Sequence, residues 1–291
     1  MCLFMQPNAL EFLLKAQADD GSWGYSRAGE GFLEPTAVVL LALRDIPQAA
    51  QAVQKAAEWI FNLQNPDGGW GICPQDKESG WQTAWAVYAL NLSGLGKEKC
   101  DIGIQWLLNI DVMQLNDSDL LAAGQKVAQI DFSVRGWPWL PGESSWVEPT
   151  ALTLLAIKGS SASAEVASRQ SEAVLYLRDR RCDGGGWNIG NPVMFDMRLP
   201  ARVTPSALAL LALAEIAPKE ILPRDILALR NEMFQDGGVL ALAWGLKALR
   251  VLGEDDPEAR AALVSAQGSD GSWDGNPYLT AIASIALNGE G

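Results

Sequence analysis

The chain has 291 residues, 48% of them hydrophobic, with twelve tryptophans, no histidine and a formal net charge of −13. That is enough apolar material for a sizeable core, while the acidic field and the lack of a Lys/Arg cluster disfavour nucleic acid and an anionic membrane surface as partners. Cys2, Cys73, Cys100 and Cys182 are far apart without CxxC spacing, the pattern of reduced thiols in a cytoplasmic chain. No basic leader precedes an apolar core, and apolar runs such as Ala207–Ala214 fall far short of the roughly 18 residues of a membrane span.

In chain order, the first unit pairs an amphipathic helical pattern (Leu10, Leu13, Leu14, Gln17) with the turn "QADDGSWG" and the apolar run "PTAVVLLALRD". The second repeats this with Ala56, Trp59, Ile60 and Leu63, then "QNPDGGWG", then "QTAWAVYALNL". In both, six residues separate Gln from Trp and thirteen separate that Trp from a Thr: Gln17–Trp23–Thr36 and Gln64–Trp70–Thr83. A third copy keeps the thirteen from Trp137 to Thr150, after an insert spanning Asp111 to Val134. A fourth, with Val174, Leu175 and Leu177 on its helix, stretches the step to nineteen, from Trp187 to Ser206. The fifth, "QDGGVLALAWGLKAL", has lost the tryptophan, and the sixth, "QGSDGSWDGNPYLTAIASIAL", keeps the Gln-to-Trp six.

Each unit therefore reads as an outer helix with one buried face, a glycine turn giving a left-handed cap, and an inner helix apolar all round. Pro35, Pro149 and Pro205 fit the first position of the inner helices, where a missing N–H costs nothing. Six such hairpins predict an all-α fold, an (α/α)6 toroid of six inner and six outer helices, closed because an open stack would expose apolar flanks. The repeats cover 1–291 without a linker, so one domain is expected. All inner helices start at the same mouth of the barrel.

"QADDGSW", "QNPDGGW" and "QGSDGSW" resemble the QW motifs of terpenoid cyclases such as squalene-hopene cyclase, a superfamily shared with protein prenyltransferases. The resemblance covers nearly the full chain. It implies an α/α toroid around an apolar cavity sized for an isoprenoid, with Gln17, Trp23, Gln64, Trp70, Gln267 and Trp273 tying helices together. Class II members of that family carry an Asp-x-Asp-Asp-Thr-Ala segment whose middle aspartate protonates an alkene or epoxide. Here Thr36-Ala37 and Thr150-Ala151 match its end, and the acid position is held by Glu34 in "FLEPTA" and Glu148 in "WVEPTA". Prolines replace the following aspartate, so the full motif is absent.

Glu34 and Glu148 are accordingly the candidate proton donors; the competing reading makes them plain charges at helix starts. Trp81, Trp85, Trp146 and Tyr278, with Trp244, are candidates to line a substrate cavity, and serve equally as core. The extra loop of the fourth unit, "NPVMFDMRLPAR", offers Asp196 and Arg198 beside Phe195 as a lid or diphosphate contact, or as a plain surface loop. Asn116 to Asp119 reads as a helix start. No metal or cofactor is expected: the zinc ligands of the prenyltransferase branch need a histidine, and neither "QADDGS" nor "GEDDPE" supplies the third carboxylate at the step that a DDxxD magnesium cluster requires.

Three functions compete at this level. The first is a terpene (squalene or prenyl) cyclase-like protein of class II type, taking a small hydrophobic isoprenoid and leaving peripheral membrane contact and oligomeric state open. The second is a non-catalytic toroid that binds an isoprenoid or a protein partner. The third is a carbohydrate-active (α/α)6 barrel using two carboxylates and tryptophan platforms.

Overall fold

The computed structural model describes residues 5–115, 117–160 and 163–288. The chain alternates outer and inner helices: α1 (Pro7–Ala16) with α2 (Leu33–Leu43), α3 (Ala50–Leu63) with α4 (Gln82–Leu92), and α5 (Lys97–Asn109) with an inserted α6 (Ser118–Ala128) before α7 (Val147–Ile157). It continues with α8 (Ala164–Asp179) and α9 (Val203–Ile216), α10 (Pro223–Asp236) and α11 (Val239–Val251), and α12 (Pro257–Ser265) and α13 (Pro277–Asn288). The inner helices pack in the cyclic order α2, α4, α7, α9, α11, α13 and back to α2. This is the expected (α/α)6 toroid. None of the described helices is long and apolar enough to cross a membrane.

The repeat spacings have a direct structural cause. Thirteen residues bring the backbone N–H of the tryptophan to a threonine hydroxyl within the first turn of the inner helix: Trp23 to Thr36 Oγ1 at 3.0 Å, Trp70 to Thr83 Oγ1 at 2.9 Å, Trp137 to Thr150 Oγ1 at 2.8 Å. Each indole then donates back into the outer helix, Trp23 Nε1 to Leu13 O and Trp70 Nε1 to Ile60 O, both at 2.8 Å. Gln17 Nε2 donates within its own turn to Gly21 O and across to Ala52 O of the next outer helix, each at 2.9 Å; Gln64 does the same to Gly68 O and Lys99 O. One side chain thus satisfies two buried carbonyls and fixes adjacent hairpins. Where the glutamine is missing, Arg181 reaches Glu220 O and the fully buried Asp225, and Arg169 lies 4.2 Å over the Trp137 ring while bonding Gly136 O.

Four details differ from the sequence expectations. The inner helices begin two residues before Pro35, Pro149 and Pro205, which occupy the third helical position; that N–H is still one of the first-turn donors without an intrahelical acceptor, so proline remains tolerated. The QW glycines do adopt the left-handed region, but inside the turn: Gly21 has φ 95° while the C-cap Gln17 is extended. A Cβ on Gly21 would sit 2.6 Å from Lys55 O, so close backbone approach also demands glycine there. Of the described QW-type turns only that after α10 ends a helix directly in a left-handed glycine, Gly237. Finally, Leu175 is exposed; α8 buries Ala173, Tyr176 and Leu177, and caps its aromatic face with Arg180 over Tyr176.

The insert at 111–134 forms α6, with Asp117 as its N-cap accepting from the Asp119 and Leu120 N–H groups; Asn116 lies outside the described residues. The fourth unit's longer loop is a two-residue hairpin, Val193–Met194 pairing with Met197–Arg198. It docks on α6 through Phe195 N–H to Val127 O, and its extra length leaves Trp187 N–H on the Ser206 hydroxyl.

Candidate functional site

Because each unit's loop runs from the outer-helix end to the inner-helix start, the first turns of the inner helices gather at one mouth. Their free N–H groups are taken up by neighbouring loops: Leu33 N–H by Ile72 O, Trp81 N–H by Trp139 O, Val147 N–H by Ile189 O. These bonds set the first turns of α2 and α7, and with them Glu34 and Glu148.

The two glutamates share an electrostatic site. Burial raises the Glu34 carboxyl above its ordinary value, and hydrogen bonds from Tyr25 and Tyr278 offset part of that rise. The Tyr25 hydroxyl donates to Glu34 Oε2 at 2.5 Å. Glu148 is pushed up to about 7, first by burial and then by the negative charge of Glu34. Both carboxyls are half-buried by exposed area, so water or a ligand reaches them although protein surrounds them. A buried like-charge pair disfavours double ionisation, and the arrangement retains a proton near neutral pH.

An aromatic column runs from this pair down the barrel axis. Tyr278, in the first turn of α13, lies with its ring 5.7 Å from Tyr25. Trp244 Nε1 donates to the Tyr278 hydroxyl at 3.4 Å, and the Trp244 ring sits 6.2 Å from that of Trp85. Trp85 is 2% exposed and its indole N–H has no hydrogen-bond partner among the described residues. Trp85 and Tyr278 therefore join the carboxyls along one axis.

The other sequence candidates are placed differently. Trp81 is half-buried and meets Trp139 edge-on at 4.6 Å. Trp146 is the residue before α7, half-buried against Gly190. Asp196 and Arg198 lie on the exposed hairpin, where Asp196 accepts from Gln129 Nε2 and Arg198 pairs with Asp183. The structure thus brings together Glu34, Glu148, Tyr278 and Trp85, and leaves Asp196 and Arg198 occupied by surface partners. Tyr25 was missed by sequence reasoning. Its signal was position: two residues after the QW tryptophan and nine before Glu34. Among the described residues no group of three potential ligands could hold a metal ion.

Comparison with known proteins follows the same lines. Residues 4–125 match the family model of the squalene-hopene cyclase C-terminal domain. The chain is 38% identical to a squalene–hopene cyclase of Zymomonas mobilis over 114 residues, 34% of this chain and 17% of that protein. It is 32% identical to a lanosterol synthase of Mus musculus over 95 residues, 33% of this chain and 13% of the relative. Those matches span less than a fifth of the relatives' length. A type II terpene cyclase from Scytonema, solved with its product merosterolic acid A, superposes with a TM-score of 0.62 at 18% identity, covering 96% of this chain and 94% of that one. The terpenoid-cyclase likeness carried by the QW repeats is thus present in sequence over the first part of the chain, and in fold over nearly all of it.

Proposed function

We propose that the chain is a terpene cyclase-like protein that receives an isoprenoid at the inner-helix N-terminal mouth and protonates it with the Glu34–Glu148 pair. The observation that carries this reading is the carboxyl pair itself, held half-buried at the head of an aromatic column with Glu148 at about 7. With its carboxyl at about 7, a substantial fraction of Glu148 holds a proton at neutral pH, where a free glutamate holds almost none, as a general acid requires. Tyr25 and Tyr278 donate to Glu34, which favours the remaining negative charge on the hydrogen-bonded partner.

Proton transfer from Glu148 to a terminal alkene leaves a tertiary carbocation and a carboxylate. A neighbouring alkene of the same chain closes a ring on that cation, and loss of a proton to a carboxylate returns the site to its starting state. The product is an isomer of the substrate. The faces of Trp85 and Trp244 are of the kind that stabilise such cations, by about 0.5–2 kcal/mol per ring. The likeness to squalene–hopene and type II terpene cyclases supports isoprenoids as the substrate class, and the three free cysteines among the described residues support a reducing cytoplasmic setting.

A second reading, a non-catalytic isoprenoid-binding toroid, is favoured by one observation: Tyr278, Trp244 and Trp85 are buried and occupy the axis below the pair. Incubating the protein with squalene and with C15 to C20 prenyl diphosphates, followed by mass analysis of the extract, separates the two. The first reading predicts products of unchanged mass and altered retention that vanish in Glu148→Gln. Unconverted ligand that co-purifies with the protein supports the second and overturns the first.

A further inference from the structure

The inner helices present their side chains to the axis in layers. The second residues of α2, α7 and α13 are Glu34, Glu148 and Tyr278, and the sixth residues of α2, α9, α11 and α13 are Val38, Leu208, Trp244 and Ile282. Trp85 belongs to that deeper layer, since it follows Thr83 by two residues as Val38 follows Thr36 and Ile282 follows Thr280. Where other copies of the repeat place Val, Leu or Ile, two therefore place tryptophan. These two sit on α4 and α11, which stand opposite each other in the ring of six, so the 6.2 Å contact of their rings spans the axis and shuts it. Beyond the pair the axis opens again into an apolar cavity of about 100 Å³, lined from all six inner helices and by Trp85 and Trp244 themselves.

Packing alone does not account for a tryptophan at 85. Its buried indole N–H has no hydrogen-bond partner among the described residues, and an orphaned donor weakens a fold where an aliphatic side chain would fill the same layer without that cost. Trp244 is tied to the carboxyl layer instead, donating to the Tyr278 hydroxyl at 3.4 Å. We propose that Trp85 and Trp244 determine substrate length: their rings partition the barrel and limit how far an isoprenoid entering at the carboxyl mouth can thread down the axis. This rests on the reading that an isoprenoid enters there. Four residues separate the glutamate layer from the tryptophan layer, about 6 Å at 1.5 Å per residue, which is room for about one isoprene unit. The cavity beyond holds about seven to ten carbons, at about 10–15 Å³ for each water-sized group, or about two further units. A smaller residue at 85 or 244 joins the two spaces, and the added length of a longer chain then leaves water.

The test is calorimetric titration of the full chain with geraniol, farnesol and geranylgeraniol, each below self-association. In the parent the affinity changes less than threefold from the C10 to the C20 alcohol, because the added units stay outside the ring. Trp85→Leu raises the affinity for the C20 alcohol at least tenfold and for the C10 alcohol less than threefold; Trp244→Leu does the same and carries the test if Trp85→Leu does not fold. Adding Leu211→Trp, which refills the cavity, to either variant returns the C20 affinity to that of the parent. A tenfold rise from C10 to C20 in the parent, equal C20 affinity in the parent and the leucine variants, a gain that survives Leu211→Trp, or no binding at all would each overturn the proposal. Binding is read without turnover. A chain that binds as described yet converts no isoprenoid refutes the protonation reading alone, whereas conversion by the parent with no gain in either leucine variant refutes the partition alone.

Discussion

Replacing Glu148 by glutamine should stabilise the protein, and only above the pH at which an ordinary carboxyl ionises. In the folded chain Glu148 titrates at about 7, against 4.5 for the unperturbed group. Between those values the folded state keeps a proton that the unfolded state has released, so stability is greatest at low pH and falls as pH climbs towards 7. At about 1.4 kcal/mol for each tenfold in proton affinity, the full loss is about 3 kcal/mol, less whatever solvent at the half-buried carboxyl screens. Glutamine keeps the shape and removes the titration. With an unfolding entropy of about 2.1 cal/mol/K per residue, the variant should melt up to about 5 °C higher than the parent at pH 8, and within about 1 °C of it at pH 4. Differential scanning calorimetry at the two pH values reads this directly. An equal difference at both pH values would mean that Glu148 is an ordinary surface carboxyl and would remove the basis for a retained proton.

Three further outcomes follow from the packing. Thr83→Val strands the buried Trp70 N–H, at a cost of about 1–3 kcal/mol in guanidinium unfolding, whereas Thr83→Ser restores most of it. Asp225→Ala removes an acceptor that holds Gly186 N–H, Leu222 N–H and the Arg181 guanidinium, leaving a buried cation uncompensated, and should cost about 3–5 kcal/mol. Gly21→Ala, with its Cβ 2.6 Å from Lys55 O, should destabilise by more than about 1 kcal/mol, and by more than Gly253→Ala, whose φ of 75° is also left-handed but whose Cβ meets nothing within 4 Å; matched thermal melts rank the two.

The spacing of Gln, Trp and Thr was legible because each is bound by a hydrogen bond whose reach is fixed by chain length: a residue inserted between Trp70 and Thr83 would break the N–H to Oγ1 contact. All-round apolarity marked the inner helices for the same reason that they are buried. What the sequence left open depends on tertiary placement. Glu34 and Glu148 are 114 residues apart, and only ring closure brings the charge of one to bear on the other. Asp196 and Arg198 carry the right chemistry for a diphosphate contact, but the docking of their hairpin on α6 commits them to Gln129 and Asp183.

The carboxyl pair can be observed without any substrate. Carbon-13 NMR of the protein labelled at the glutamate carboxyl carbons, titrated from pH 4 to 9, reports each group's own proton. One resonance should have its midpoint near 7, missing in Glu148→Gln and displaced to lower pH in Glu34→Gln, where the neighbouring charge is gone. If every glutamate titrates below about 5, no proton is held at the mouth and the proposed chemistry has no source for it.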